Sequence, residues 1–193
     1  MEISTDVLKA LRDKTGVSVM QCRKALEEAE GDVEKAEVIL RKKSGAAADK
    51  KSDRELGAGS IGMYVHDNAI GAMVLISCET DFVSKNPEFA TLARELAMQV
   101  AATNPTFLKE EDIPADARAS AQAVFEKEVA DKPKEMQEKI LEGKLASYFR
   151  DQVFMNQSYI KDEGKTVRDL ITEASQKFGE RIEISRFARF SAR

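Results

Sequence analysis

The feature that most constrains this chain is a change of hydrophobic period within its first half. Ile61, Met63 and Val65 alternate with polar or amphipathic neighbours, Asp67-Asn68 supplies turn chemistry, and Ile70 to Cys78 is almost continuously apolar. A two-residue period lines one face of a strand. The two stretches therefore predict a hairpin whose second strand is buried on at least part of both faces. On either side, apolar residues recur at three and four, the spacing of a helix. Strands set among helices make the expected fold class α+β, a small antiparallel sheet packed with several helices.

Three short helices are expected before the hairpin. The first starts near Ser4 or Asp6, places Val7, Leu8 and Leu11 on one face and stops at Gly16. Ser18-x-x-Gln21 opens the second as a capping box, in which the serine oxygen and the glutamine side chain satisfy each other's orphan amides. Met20, Cys22, Ala25, Leu26 and Ala29 follow at roughly helical spacing, and Gly31 closes the element. Asp32 can cap a third helix that buries Val33, Ala36, Ile39 and Leu40. Residues 44–56 then lose the apolar period and read as a linker, helical in part. The expected organisation is a three-helix domain at 1–43, a linker at 44–56 and an α+β core at 57–193.

Helices dominate beyond the hairpin. Asn86-Pro87 is a cap with proline at the first helical position, and Phe89, Leu92, Ala93, Leu96, Ala97, Val100 and Ala101 form one stripe. Thr103-Asn104-Pro105 stops it. A weaker pattern near 115–131 carries Ala121, Val124, Phe125 and Val129; another after Pro133 carries Met136, Ile140, Leu141, Leu145, Tyr148 and Phe149. Thr166-x-x-Asp169 opens a further helix, with Val167, Leu170, Ile171, Ala174 and Phe178 facing inward before Gly179. The closing RIEISRFARF reads as a strand beside the hairpin, its alternation impure.

Composition narrows the chemistry. No apolar stretch approaches the ~20 residues of a membrane helix, and the charged N-terminus lacks a secretory apolar region. Two cysteines, Cys22 and Cys78, suit a reducing, cytoplasmic setting. Neither a phosphate-binding Gly-x-x-x-x-Gly-Lys loop nor a Gly-x-Ser-x-Gly elbow is present, and His66 is the single histidine. No enzyme, cofactor or metal site is therefore expected. Residues 41–54 hold six basic against two acidic side chains, yet the whole chain carries −4, which argues against a nucleic-acid binder.

One stretch admits two explanations. Between the apolar run and the helix after Asn86 lie Thr80, Asp81, Phe82 and Val83, two polar residues and then two large apolar ones. Either Asp81 caps a local turn and Phe82 tucks into the core, or Phe82 stands out as an apolar wedge.

Three segments carry a family resemblance. LKALRDKTGVSVMQCRKALEEAEGDVEKAEVILRKK is similar to a ubiquitin-associated-like three-helix domain, CETDFVSKN matches a specific loop motif, and EGKLASYFRDQVFMNQSYIKDEGKTVRDL with RFARF resembles a C-terminal core. Together they resemble the elongation factor Ts family, nucleotide-exchange factors of the translational GTPase elongation factor Tu. The resemblance implies that Thr80, Asp81, Phe82 and Val83 enter the GTPase and disturb its Mg²⁺ and phosphate site. It further implies that Lys9, Leu11, Arg12, Val19 and Met20 dock the N-terminal domain on the partner. Ser18-Val19-Met20-Gln21-Cys22-Arg23 departs from the common Gly-Met-Met-Asp-Cys-Lys of that surface. A single core copy, as in short members, implies a homodimer giving a 2:2 complex, in which His66 of one protomer serves the GTPase held by the other.

Two rivals stand beside the exchange-factor reading. A binding module would use the three-helix head and be indifferent to Phe82. An RNA scaffold would bind through residues 41–54 and the C-terminal arginines, with affinity falling steeply as salt rises.

Overall fold

The computed structural model describes residues 3–49, 51, 53–131 and 133–192, with the backbone alone for 46–49, 134 and 135. Lys50 and Ser52 of the expected linker lie outside the described residues. Among those described, the chain forms eight α-helices and five strands, an α+β protein. In chain order these are α1 (Thr5–Thr15), α2 (Val19–Glu28), α3 (Val33–Asp49), β1 (Ala58–His66), β2 (Ile70–Cys78), α4 (Asp81–Ser84) and α5 (Pro87–Thr103). Then come α6 (Ala115–Val129), α7 (Lys134–Arg150), β3 (Ser158–Tyr159), β4 (Asp162–Thr166), α8 (Val167–Phe178) and β5 (Glu183–Ser191). Strands order as β1-β2-β5 in the main sheet, so the closing strand does lie beside the hairpin, while β3 and β4 pair antiparallel on their own. Along β2, Ala72, Val74, Ile76 and Cys78 are buried and Met73 is exposed: the apolar run covers one face fully and the other in part. The chain divides into two compact units, residues 1–60, 76–90 and 169–185 in the first and 61–75, 91–168 and 186–193 in the second.

In the first unit, local chemistry sets the three-helix boundaries. Ser4 accepts from the Asp6 amide at 3.3 Å, and Gly16 ends α1 in the left-handed region at φ 67°, its amide reaching Arg12 O. Ser18 accepts from the Gln21 amide at 3.4 Å, but its hydroxyl donates to Gln21 Oε1 at 3.0 Å. The expected box therefore closes side chain to side chain, not through the serine amide. Asp32 accepts from the Lys35 amide at 3.1 Å, and that bond holds its carboxyl below the usual range. Leu8, Leu11, Val17, Cys22, Ala25, Leu26, Ala29, Ala36 and Leu40 form the core. Met20, grouped with the helical stripe by spacing, is instead exposed, because it stands two residues before Cys22, about 200° around the helix from the buried face of Cys22, Ala25 and Leu26. The last helix of the three continues to Asp49. Within it Ser44 is buried, donates to Leu40 O at 2.8 Å and hydrogen-bonds Gln176.

In the second unit, α5 lies so close to β1 that only glycine fits at position 62. A Cβ there would meet the Ala93 carbonyl carbon and oxygen at 2.0 Å. Buried Gln99 fixes the following segment by donating to Gln157 Oε1 at 3.2 Å and Ser158 O at 3.0 Å, while accepting from the Ile160 amide at 2.8 Å. Helices α6 and α7 pack as a pair above a small cluster of Ile113, Phe149 and Val153. Val124, Met136 and Tyr148, placed in the apolar stripes by spacing, are exposed, because two paired helices have only each other to bury against away from that cluster. Phe154 meets Phe187 edge to face at 5.3 Å, and Arg189 Nε donates to Ala101 O at 3.1 Å.

Candidate partner-binding site

Strand β2 delivers the chain to the Thr80–Val83 loop from a buried anchor. Cys78 is fully buried; its thiol donates to Thr80 O at 3.3 Å, and desolvation pushes its pKa up, so it behaves as a core group. The next four residues make one helical turn, α4, with Thr80 in extended conformation ahead of it. Because consecutive helical residues point about 100° apart, neighbours on that turn meet different surroundings. Val83 is 3% exposed and Phe82 is 83% exposed. Asp81 is also exposed and accepts from Lys85 Nζ at 2.6 Å, the bond that holds its carboxyl below the usual range. Asn86 then caps α5, its side chain accepting from the Glu88 amide at 2.8 Å.

Two glutamates fasten the base of this turn. Glu180 Oε2 accepts from the Glu79 and Thr80 amides at 3.0 and 3.1 Å, and its Oε1 accepts from the Thr80 hydroxyl at 2.5 Å. Glu79 in return accepts from the Arg181 amide at 2.6 Å and from Arg54 Nη1 at 3.1 Å. The Arg181 amide, with Arg54 adding to it, holds the Glu79 carboxyl below its ordinary range. Sequence spacing gives no sign of this brace, whose partners stand a hundred residues apart. The left-handed Gly179, at φ 75°, is the local signal of the turn that aims Glu180.

The other expected residues fall on separate elements. Lys9 and Arg12 are exposed on α1, and Val19 and Met20 are exposed at 47% and 69% on the first turn of α2. Leu11 is fully buried in the three-helix core, so its side chain offers no surface to a partner. His66 belongs to the second unit, at the end of β1. Its Nδ1 lies 3.1 Å from the Tyr64 hydroxyl, its Nε2 lies 3.5 Å from Asp67, and its ring stacks on Tyr64. Among the described residues no group of three or more histidine, cysteine, aspartate or glutamate side chains is placed to hold a metal ion, and no helix is long and apolar enough to cross a membrane.

A family model described as elongation factor TS matches residues 47–193. The chain belongs to the elongation factor Ts family. Elongation factor Ts of Thermotoga petrophila is 48% identical over 191 residues, spanning 98% of this chain and 96% of that protein. The elongation factor Ts proteins of Thermotoga maritima and Thermodesulfovibrio yellowstonii are 47% and 44% identical over the same length, again spanning 98% of this chain and 96% of each relative. Family membership places the chain among the elongation factors of translation, in protein biosynthesis. These relatives also span the residues before 47, which hold α1, α2 and most of α3, so likeness to elongation factor Ts covers both the exposed residues of α1 and α2 and the Thr80–Val83 turn.

Proposed function

We propose that this chain is a guanine-nucleotide exchange factor that binds elongation factor Tu·GDP and promotes loss of GDP. The observation that carries the reading is Phe82: a large apolar side chain 83% exposed on a turn whose neighbours are pinned. An aromatic held out on a rigid base is a ready anchor for a partner's pocket, because little conformational freedom is lost on docking. GDP is held in a GTPase through its phosphates, by loop amides, a lysine and Mg²⁺. Thr80, Asp81, Phe82 and Val83 disturb that site: Phe82 wedges the phosphate loop aside while the Asp81 carboxylate competes for cationic groups there. Several charge-assisted contacts are then lost together, and nucleotide leaves without covalent chemistry by this chain. The factor need only bind the emptied GTPase better than the loaded one, and by linkage an incoming nucleotide weakens the factor's own hold.

The residues 1–43 act as a ubiquitin-associated-like domain that docks on the GTPase through Lys9, Arg12, Val19 and Met20, with Leu11 holding α1 from inside. A linker at 44–56 joins it to the core at 57–193. The protein works in the cytoplasm as a homodimer, giving a 2:2 complex in which His66 serves the GTPase bound to the other protomer. The exposed apolar face of the sheet supports the dimer, since Ile61, Met63, Val65, Met73 and Phe190 all lie open there.

Release of a fluorescent GDP analogue from elongation factor Tu tests the reading. Acceleration by the parent, with a large loss in Phe82→Ala, supports it. A folded parent that leaves release unchanged overturns it.

A further inference from the structure

Building on the exchange-factor reading, we infer that Glu180 is the positioning residue of the Thr80–Val83 wedge. Glu180 is a half-buried residue whose carboxylate makes three bonds to two consecutive residues, the Glu79 and Thr80 amides on Oε2 and the Thr80 hydroxyl on Oε1. Those two residues are the last before the turn that carries Phe82. A backbone amide fixed by a charged acceptor fixes the peptide plane, and so the direction in which the following turn leaves β2. Glu79 completes a reciprocal arrangement: each segment's glutamate takes the other segment's backbone amide, Glu79 from Arg181 and Glu180 from Glu79.

This brace solves a problem specific to α4. A four-residue helix has little stability of its own. Thr80, at its N-cap position, makes no side-chain capping bond, because its hydroxyl is turned to Glu180. Val83 pins the turn from inside, but one buried side chain leaves rotation about that anchor unspecified. Glu180 supplies the second fixed point. With both in place Phe82 is aimed while exposed, and its ordering cost is met before the partner arrives.

The geometry separates shape from charge. Glutamine at 180 can keep its carbonyl oxygen on the two amides and set its amino group toward the Thr80 oxygen, whose hydroxyl rotates to accept. Glu180→Gln therefore retains the brace. Glu180→Asp, one methylene shorter, cannot reach both segments, and Glu180→Ala removes every contact.

The test combines hydrogen exchange on the isolated full-length chain with GDP-analogue release from elongation factor Tu at saturating factor. In Glu180→Ala and Glu180→Asp the Glu79 and Thr80 amides should lose protection while the α1–α3 amides keep theirs. Maximal release should fall on the order of tenfold, with Glu180→Gln near the parent. In a Phe82→Ala background, Glu180→Ala should add little, because both changes remove the same wedge. Equal release by Glu180→Ala and the parent, or losses that multiply in the double variant, would overturn the positioning role. So would unchanged protection at Glu79 and Thr80. A parent that does not accelerate release fails the exchange-factor reading instead, and the hydrogen-exchange result still decides whether Glu180 braces the turn. Should Glu180→Ala not fold, the comparison of Glu180→Asp with Glu180→Gln carries the same decision.

Discussion

Phe82 and Val83 share one helical turn, yet water reaches most of the first side chain and almost none of the second. Substitution should therefore separate them by kind of effect. Phe82→Ala removes no packing and should leave stability within about 0.5 kcal/mol of the parent, while GDP release loses most of its acceleration. Val83→Ala opens a small void under the turn and should cost about 2 kcal/mol. Thermal denaturation beside the release assay checks both, and a destabilised Phe82→Ala would mean that Phe82 packs. Residue types alone left Phe82 open to either fate, because a phenylalanine after an aspartate fits a tucked turn as well as a wedge. The deciding partner, Val83, differs from it only in direction, which a four-residue element does not reveal through periodicity. Leu11 shows the converse: an apolar residue named for a surface sits wholly inside, as its place in the Leu8–Leu11 stripe already implied.

Elements were legible where their ends carry their own chemistry. Ser18, Asp32, Gly16 and Asn86-Pro87 mark real boundaries, because caps and left-handed glycines act over three or four residues. Legibility fails where partners are distant or stripes are weak. Gly179 marks the turn before Glu180 but not the partners of its brace, nothing local announces the β3–β4 pair, and the parity of β5 shifts between buried Ile184 and half-buried Phe187 and Arg189, which explains its impure alternation. Two predictions belong to this scale. Gly62→Ala drives a methyl into the Ala93 backbone, so α5 must lift from β1 at a cost of about 2 kcal/mol or more, measured by chemical denaturation. Glu79 sets a pH dependence. Its folded pKa lies below the unfolded value, so the unfolded state binds more protons between the two, and stability rises with pH through that window. The contribution is complete above the unfolded value and lost as pH falls through the folded one. Glu79→Gln should thus be less stable than the parent at about pH 7 and approach it in thermal scans as pH falls through the folded value. A gap that persists undiminished in acid would assign the effect to shape, not to the carboxylate.

For the whole molecule, the open face of the main sheet poses the question of assembly. Ile61, Met63 and Val65 on β1 lie exposed together with Met73 on β2 and Phe190 on β5, an apolar surface of the kind a monomer usually keeps small. A two-fold contact would let the same residues cover themselves. Met63 is the side chain to change, because its exposure means a charge there disturbs no core. Met63→Glu should fold with the parent's stability, while sedimentation equilibrium should move from twice the 21.4 kDa chain mass to that mass alone. A parent that is monomeric at micromolar concentration would remove the dimer. If it is dimeric, the two proposed contacts with the GTPase come apart in a cycle. Phe82 is proposed to act on the GTPase held by its own chain, so Phe82→Ala should reduce GDP release equally in the dimer and in the Met63→Glu monomer. His66 is proposed to act across protomers, so His66→Ala should reduce release only in the dimer. A His66→Ala effect of equal size in both backgrounds would place that histidine on the GTPase held by its own chain and leave the dimer without a part in exchange.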